Sequence, residues 1–174
     1  MCLAEADATI KEQWIEAHVP TLGHPAGGRV GEAGLGWRLL STDDAHEARA
    51  LAARLHDYNS ERKAIEDGVL TEALAMVESR LTDDDHVIMV AGEGWHPGVV
   101  GIVAARLKER FHRPAVVIGF EGAAGKGSGR SVVGVDLGAA IARLTREGVI
   151  ERGGGHRMAA GLSLSRGQLE PAMA

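Results

Sequence analysis

The segment "VIMVAGEGWHPGVVGIVAARLKERFHRPAVVIGF", Val87–Phe120, decides the fold. Its first five residues, "VIMVA" (87–91), form a short apolar run of the kind that makes a buried strand. "GEGWHPG" is a turn, with Pro97 in the position that opens a helix. "VVGIVAARLKERF" (99–111) is apolar almost all round at its start and charged at its end, which suits a helix entering a core. "PAVVIGF" (114–120) is a second buried strand. Strand, helix and strand in this order mark an α/β domain.

Working outward, "GKGSGRSVVGV" (125–135) reads as a Gly-rich strand or pair of strands. Asp136 caps a helix over "LGAAIARLTREGV". "GGGHRMAAGLSLS" reads as a turn and a last strand, and "SRGQLEPAMA" as the first turn of a further helix. The expected domain is a small mixed sheet flanked by helices, from residue 82 to 174. Before it, residues 44–81 predict one long connector helix. Asp44 with Glu47 makes a capping-box start, and Leu51, Leu55, Tyr58, Ile65, Val69, Leu70, Leu74, Val77 and Leu81 fall on one stripe. Unbroken, it spans about 55 Å, with Gly68 as a candidate bend or break. A helix of this length with a narrow stripe more often joins two bodies than fills one core. Residues 1–43 hold a short helix candidate, Glu5–His18, and the glycine-rich connector loop "HPAGGRVGEAGLG" with Arg29.

The totals narrow the function. Apolar residues make up 45% of the 174 residues and aromatics 3%, so the core is aliphatic and stacking on bases is not the main binding mode. A net charge of −5 argues against a general polyanion binder and leaves room only for a local basic patch. The one cysteine, Cys2, rules out an internal disulfide and a Cys-rich zinc site. No apolar run reaches membrane-spanning length and no signal peptide pattern opens the chain, so the expected location is the cytoplasm, with no membrane partner.

Three glycine-rich segments carry the chemistry. Gly92, Gly94 and Gly98 approach a dinucleotide fingerprint, yet Pro97 interrupts the loop and the long βαβαβ series is missing. "GFEGAAGKGSGRS" is not a phosphate loop, because Gly127 follows Lys126 where a Ser or Thr should hold magnesium. In a strand, however, Lys126, Ser128 and Arg130 share one face, and Ser131 follows. That face is a candidate phosphate cradle, opposed by a face of glycines that leave it bare. "ERGGGHRMAAG" sets Gly153, Gly154 and Gly155 beside His156. Glycines at positive φ can present consecutive amides to an anion, and an imidazole can donate to the same anion or move a proton. A triad of Ser128, His156 and Asp136 is conceivable, without a G-x-S-x-G elbow to support it. "DDDH" (83–86) reads as a solvated turn, and no compact set of Asp and His suits a two-metal centre. No metal site is expected in this chain.

Taken together, "GWHPGVVGIVAARLKERFHRPAVVI", "GKGSGRS", "DLGAAI" and "GGGHRMAAG", in this order and spacing, resemble the DHH-associated C-terminal region of RecJ-type single-strand DNA exonucleases. "AGGRVGEAGLGWRLL" and the long helix resemble the connector before it. The resemblance implies an α/β nucleic-acid-binding domain that clamps single-stranded DNA by its phosphate backbone. A DHH domain, carrying Mn2+ or Mg2+ in the complete enzyme, would supply metal-assisted hydrolysis from the 5′ end. It implies contacts from Arg29, Ser128, Arg130, Gly153, Gly154 and Gly155, beside Lys126 and Ser131 of the candidate cradle, with His156 as an auxiliary group near the metals. Trp95 and His96 would order their loop. The chain departs from the family in lacking the DHH and upstream aspartate motifs, in residues 1–24, and at Pro25, where asparagine is usual. It is therefore expected to be a C-terminally truncated fragment whose hydrolysis requires a DHH metal domain absent from this chain, with a separate DHH-domain chain as a candidate partner. The alternatives are part of a DHH-family oligonucleotide or cyclic-dinucleotide phosphodiesterase, a nucleotide-cofactor module, and a remnant.

Overall fold

β-Branched residues make the two parallel strands, and sequences rich in glycine, alanine and serine make the other three. The computed structural model describes residues 31–173, with side chains from residue 34 onward. Helix α1 is Gly31–Ser41 and α2 is Ala45–Arg80. Then come β1 (Ile88–Glu93), α3 (Pro97–Phe111), β2 (Ala115–Glu121), β3 (Ala124–Arg130), α4 (Leu137–Arg146), β4 (Arg152–His156), β5 (Ala159–Ser165), a 3-10 turn (Arg166–Gln168) and α5 (Leu169–Met173). The five strands form one mixed sheet in the order β1-β2-β3-β5-β4. Only β1 and β2, joined through α3, run parallel; β2–β3, β3–β5 and β5–β4 are antiparallel. The α/β class expected from the sequence is the one found.

The chain divides into two compact units within α2, after Glu61. In the first, Leu35 and Leu51 are buried. The predicted capping box is not the one formed: Asp44 Oδ1 accepts from the His46 amide at 2.8 Å, while Glu47 reaches back to Thr42 Oγ1 at 2.6 Å and to Arg38. Helix α2 runs through Gly68 without a break. The predicted stripe is real only in part, since Tyr58 and Ile65 are exposed while Val69, Ala73 and Val77, at i, i+4 spacing, are buried.

In the second unit the sheet has two apolar layers. On the first face Ile88, Val90, Ala115 and Val117 pack with Val99, Val100, Val103, Ala104 and Leu107 of α3 and with the α2 residues just named. On the second, Val116, Ile118, Phe120, Ala160, Leu162 and Leu164 pack with Leu137 and Ile141 of α4. Helix α3 begins at Pro97, with His96 as its cap: Nδ1 accepts from the Gly98 amide at 3.1 Å. It ends at His112, in the left-handed region at φ 54°, two residues before Pro114, which cannot continue a helix. Asp136 caps α4 by accepting from the Ala139 amide at 2.9 Å.

One clamp ties the edge of the sheet to its hairpin. The Glu93 carboxylate accepts from the Gly122 amide at 3.1 Å and from Arg166, whose guanidinium lies 4.6 Å from the Phe120 ring centre. The Gly122 amide first, and then Arg166, hold the Glu93 carboxyl below its ordinary range. A carboxyl whose folded pKa is depressed stabilises the fold fully above its unfolded pKa and loses that contribution as pH falls through the folded value. Glu93→Gln is therefore expected to lower Tm at neutral pH and to flatten the acid limb of Tm against pH. Thermal unfolding of both chains between neutral and acidic pH measures it.

Candidate nucleic-acid interface

Strand register decides which side chains share a face, because residues directly opposite on neighbouring strands project the same way. Pairing across β3, β5 and β4 gives three rows. Arg130, Ala159 and His156 form one; Ser128, Gly161 and Gly154 form the next; Lys126, Ser163 and Arg152 form the third. All nine belong to the first face. Helix α3 covers that face over β2 and reaches β3, where a Cβ on Gly101 would meet Arg130 Nη2 and Ser128 Oγ at 3.1 Å. Beyond β3 the face is open. Gly161, Arg152 and His156 are exposed, and Gly154, Ala159 and Ser163 half-buried. The result is a floor of small residues framed by two arginines, a lysine and an imidazole, with two hydroxyls between and no carboxylate among the nine.

No carboxylate among the described residues neutralises the frame. Other cations of this unit are paired: Arg110 with Glu78 at 2.8 Å, Arg143 with Glu147 at 2.7 Å, and Arg157 with Asp136 at 3.8 Å. Among the described residues Lys126, Arg130 and Arg152 form no ion pair. Arg130 is instead held by its own strand, Nη1 donating to Ser128 Oγ at 3.0 Å and to the Gly129 carbonyl at 2.9 Å.

Several sequence expectations change here. Gly153, Gly154 and Gly155 are strand, not turn, and none of them has positive φ, so they build no amide nest. Their side-chain directions alternate. A Cβ on Gly153 would meet Ile141 Cγ2 at 2.5 Å, and one on Gly155 the Ala159 carbonyl oxygen at 2.3 Å, whereas one on Gly154 meets nothing within 4 Å. Only Gly154 is bare toward the open face. Likewise the glycines opposite Lys126, Ser128 and Arg130 are not bare: Gly125, Gly127 and Gly129 make room for Phe120, Ile118 with Leu162, and Leu137. Ser131 is 1% exposed and its hydroxyl donates to the Val135 carbonyl at 3.0 Å, so it shapes the loop and offers nothing to a ligand. Ser128, His156 and Asp136 share no hydrogen bond; Asp136 caps α4 and pairs with Arg157. Arg29 lies outside the described residues.

The glycine loop after β1 has no room for a dinucleotide. Trp95 is 4% exposed, donates from Nε1 to Glu72 at 2.7 Å, and fills the space beside Gly92, where a Cβ would lie 2.1 Å from its ring. Asp85 of "DDDH" closes a turn, accepting from the Thr82 amide at 2.7 Å and hydroxyl at 2.9 Å, and these bonds hold its carboxyl below the ordinary range. No group of three or more His, Cys, Asp or Glu suited to a metal occurs among the described residues, so the donors present do not fit a catalytic metal. Nor is any helix there long and apolar enough to cross a membrane.

Sequence reasoning missed Arg152, Gly161 and Ser163 as members of this face. The signal was present: in "AAGLSLS", Ala160, Leu162 and Leu164 alternate with Ala159, Gly161 and Ser163, the period of a half-buried strand.

The class defined by these features is an α/β domain whose mixed sheet carries helices on both faces, one of those faces being left open, with a cationic frame, beyond β3. The chain belongs to the DHHA1 domain family, whose profile matches residues 84–174. It is 45% identical over 146 residues to the single-stranded-DNA-specific exonuclease RecJ of Escherichia coli strain K12, covering 80% of this chain and 25% of that protein. It is 41% identical over 139 residues to RecJ of Bacillus subtilis strain 168, covering 79% and 17%. A crystal structure of RecJ from Thermus thermophilus in complex with Mg2+ superposes with a TM-score of 0.70 at 34% identity, covering 83% of this chain and 22% of that one. The chain thus spans a quarter or less of each of these three relatives.

Proposed function

We propose that this chain is the substrate-clamping part of a RecJ-like single-strand exonuclease. The observation that carries the reading is the set of three sheet rows in which Arg130, Lys126, Arg152 and His156 frame a floor of small residues with no carboxylate among them. Such a face attracts a phosphodiester backbone without reading sequence. Guanidinium forks and hydroxyls bind phosphate oxygens, and the glycine floor lets the backbone approach the sheet. The work of this part is positioning: holding a strand in one orientation lowers the barrier of a reaction performed by groups elsewhere. Divalent metal and the attack of water on the phosphodiester belong to a DHH domain, on the same enzyme or a separate chain, in the cytoplasm. His156, at the rim, serves as an auxiliary donor to phosphate or sugar.

Fluorescence anisotropy of a labelled single-stranded oligonucleotide tests this directly. The 174-residue chain is expected to bind it with log affinity falling linearly in log salt. Arg110→Ala, which removes a cation already paired with Glu78, is expected to leave the affinity unchanged. Binding that is independent of salt, or lost equally in Arg110→Ala, would overturn the reading.

A further inference from the structure

The three rows are more than one phosphate needs. Successive rows are two residues apart along each strand, about 6.7 Å, comparable to the spacing of neighbouring phosphates in an extended single strand. Lys126 and Arg130 stand four residues apart on β3, about 13 Å. Arg152 and His156 stand the same distance apart on β4. The cations thus form two ends of a track: Arg130 with His156 at one, Lys126 with Arg152 at the other, Ser163 between the latter two in register. The middle row is the uncharged one, with Ser128, Gly161 and Gly154.

The track also has an edge. The next row along the same face carries Ala124 and Ser165, and beside them on β2 the exposed carboxylate of Glu121. Charge therefore changes sign one row past Lys126. Neither the Lys126 nor the Arg152 side chain forms an ion pair or hydrogen bond with another described residue, and both are exposed. Nothing in the packing of the sheet uses them.

We infer that Lys126, Ser163 and Arg152 form a second phosphate-binding locus, and that the two ends together select polynucleotides over dinucleotides. This rests on the reading of the open face as a strand-binding surface. The arithmetic is simple. A dinucleotide has one phosphodiester and engages one end. A longer strand places one phosphate at the Arg130 end and the second phosphate along at the Lys126 end.

The test uses the 174-residue chain with dithymidylate and decathymidylate under salt titration. The unaltered chain is expected to bind decathymidylate far more tightly than dithymidylate. Lys126→Ala with Arg152→Ala is expected to weaken decathymidylate about tenfold and to make its salt slope shallower by about 0.7, the loss of one phosphate contact on a single strand. Tm should be unchanged, since neither side chain has a partner to lose. Equal affinities for the two ligands, or an unchanged slope in the double variant, would overturn the inference. If Arg130→Ala weakens decathymidylate while the double variant does not, the track ends at Arg130 and only the inference falls. If the unaltered chain binds neither ligand, the reading of the face falls with it.

Discussion

Arg130→Ala is expected to weaken single-strand binding by about ten- to hundredfold, the largest loss of any one side chain on the open face. A hydrogen bond to a charged group contributes roughly 1.5–3 kcal/mol, and each 1.4 kcal/mol is about tenfold in affinity. Arg130 reaches the upper part of that range because it is already held. Its Nη1 donates to Ser128 Oγ and to the Gly129 carbonyl, so little rotamer freedom is lost on binding. Helix α3 also yields space to it: a side chain at Gly101 would sit 3.1 Å from Nη2. Arg130→Lys keeps the charge and loses the planar fork, so it is expected to recover only part of the affinity. The measurement is anisotropy at fixed salt, with Tm as the control for folding. An Arg130→Ala chain that binds as tightly as Arg110→Ala would leave generic charge as the only explanation.

How far this site could be read from the sequence differs from strand to strand. In β3, alternation put Lys126, Ser128 and Arg130 on one face directly, because the period of a strand is two and every second residue is glycine. What alternation could not show is why the glycines are there. Their neighbours are Phe120, Ile118, Leu162 and Leu137, residues brought alongside only by pairing with β2 and β5 and by the packing of α4. The three glycines before His156 misled for a related reason. Locally they resemble a turn, yet β5 pairs with them and α4 packs on them, so tertiary contacts make a strand of a sequence with little preference for one. That Arg152 and Ser163 share a face with Lys126 was not legible, because it lies in register, in being opposite Ser163 and Lys126, and register is not local information. The segment 87–120 was legible because its strands and helix are apolar enough that composition alone fixes their burial.

Gly119→Ala is expected to be the most damaging single-methyl change in the described part of the chain. A Cβ at this position would lie 1.9 Å from the Trp95 carbonyl oxygen and 2.9 Å from its carbonyl carbon. Side chains can swing aside, but a backbone carbonyl in the turn leading into α3 cannot move without taking the helix with it. That turn is fixed from several sides. The Gly94 amide donates to the Phe120 carbonyl at 2.8 Å, Trp95 Nε1 to Glu72 at 2.7 Å, and His96 caps α3. Overpacking a fixed core commonly costs about 1–3 kcal/mol, and the absence of a soft neighbour places Gly119→Ala at or above the top of that range. Gly154→Ala is the matching control, in the same sheet and with no atom within 4 Å of the new methyl. Chemical denaturation of the two variants should show a midpoint far below the parent for Gly119→Ala and near it for Gly154→Ala. Equal midpoints would mean that the Trp95 turn yields readily, and that the close approach of this turn to β2 does not brace the helix which carries Gly101 against Arg130.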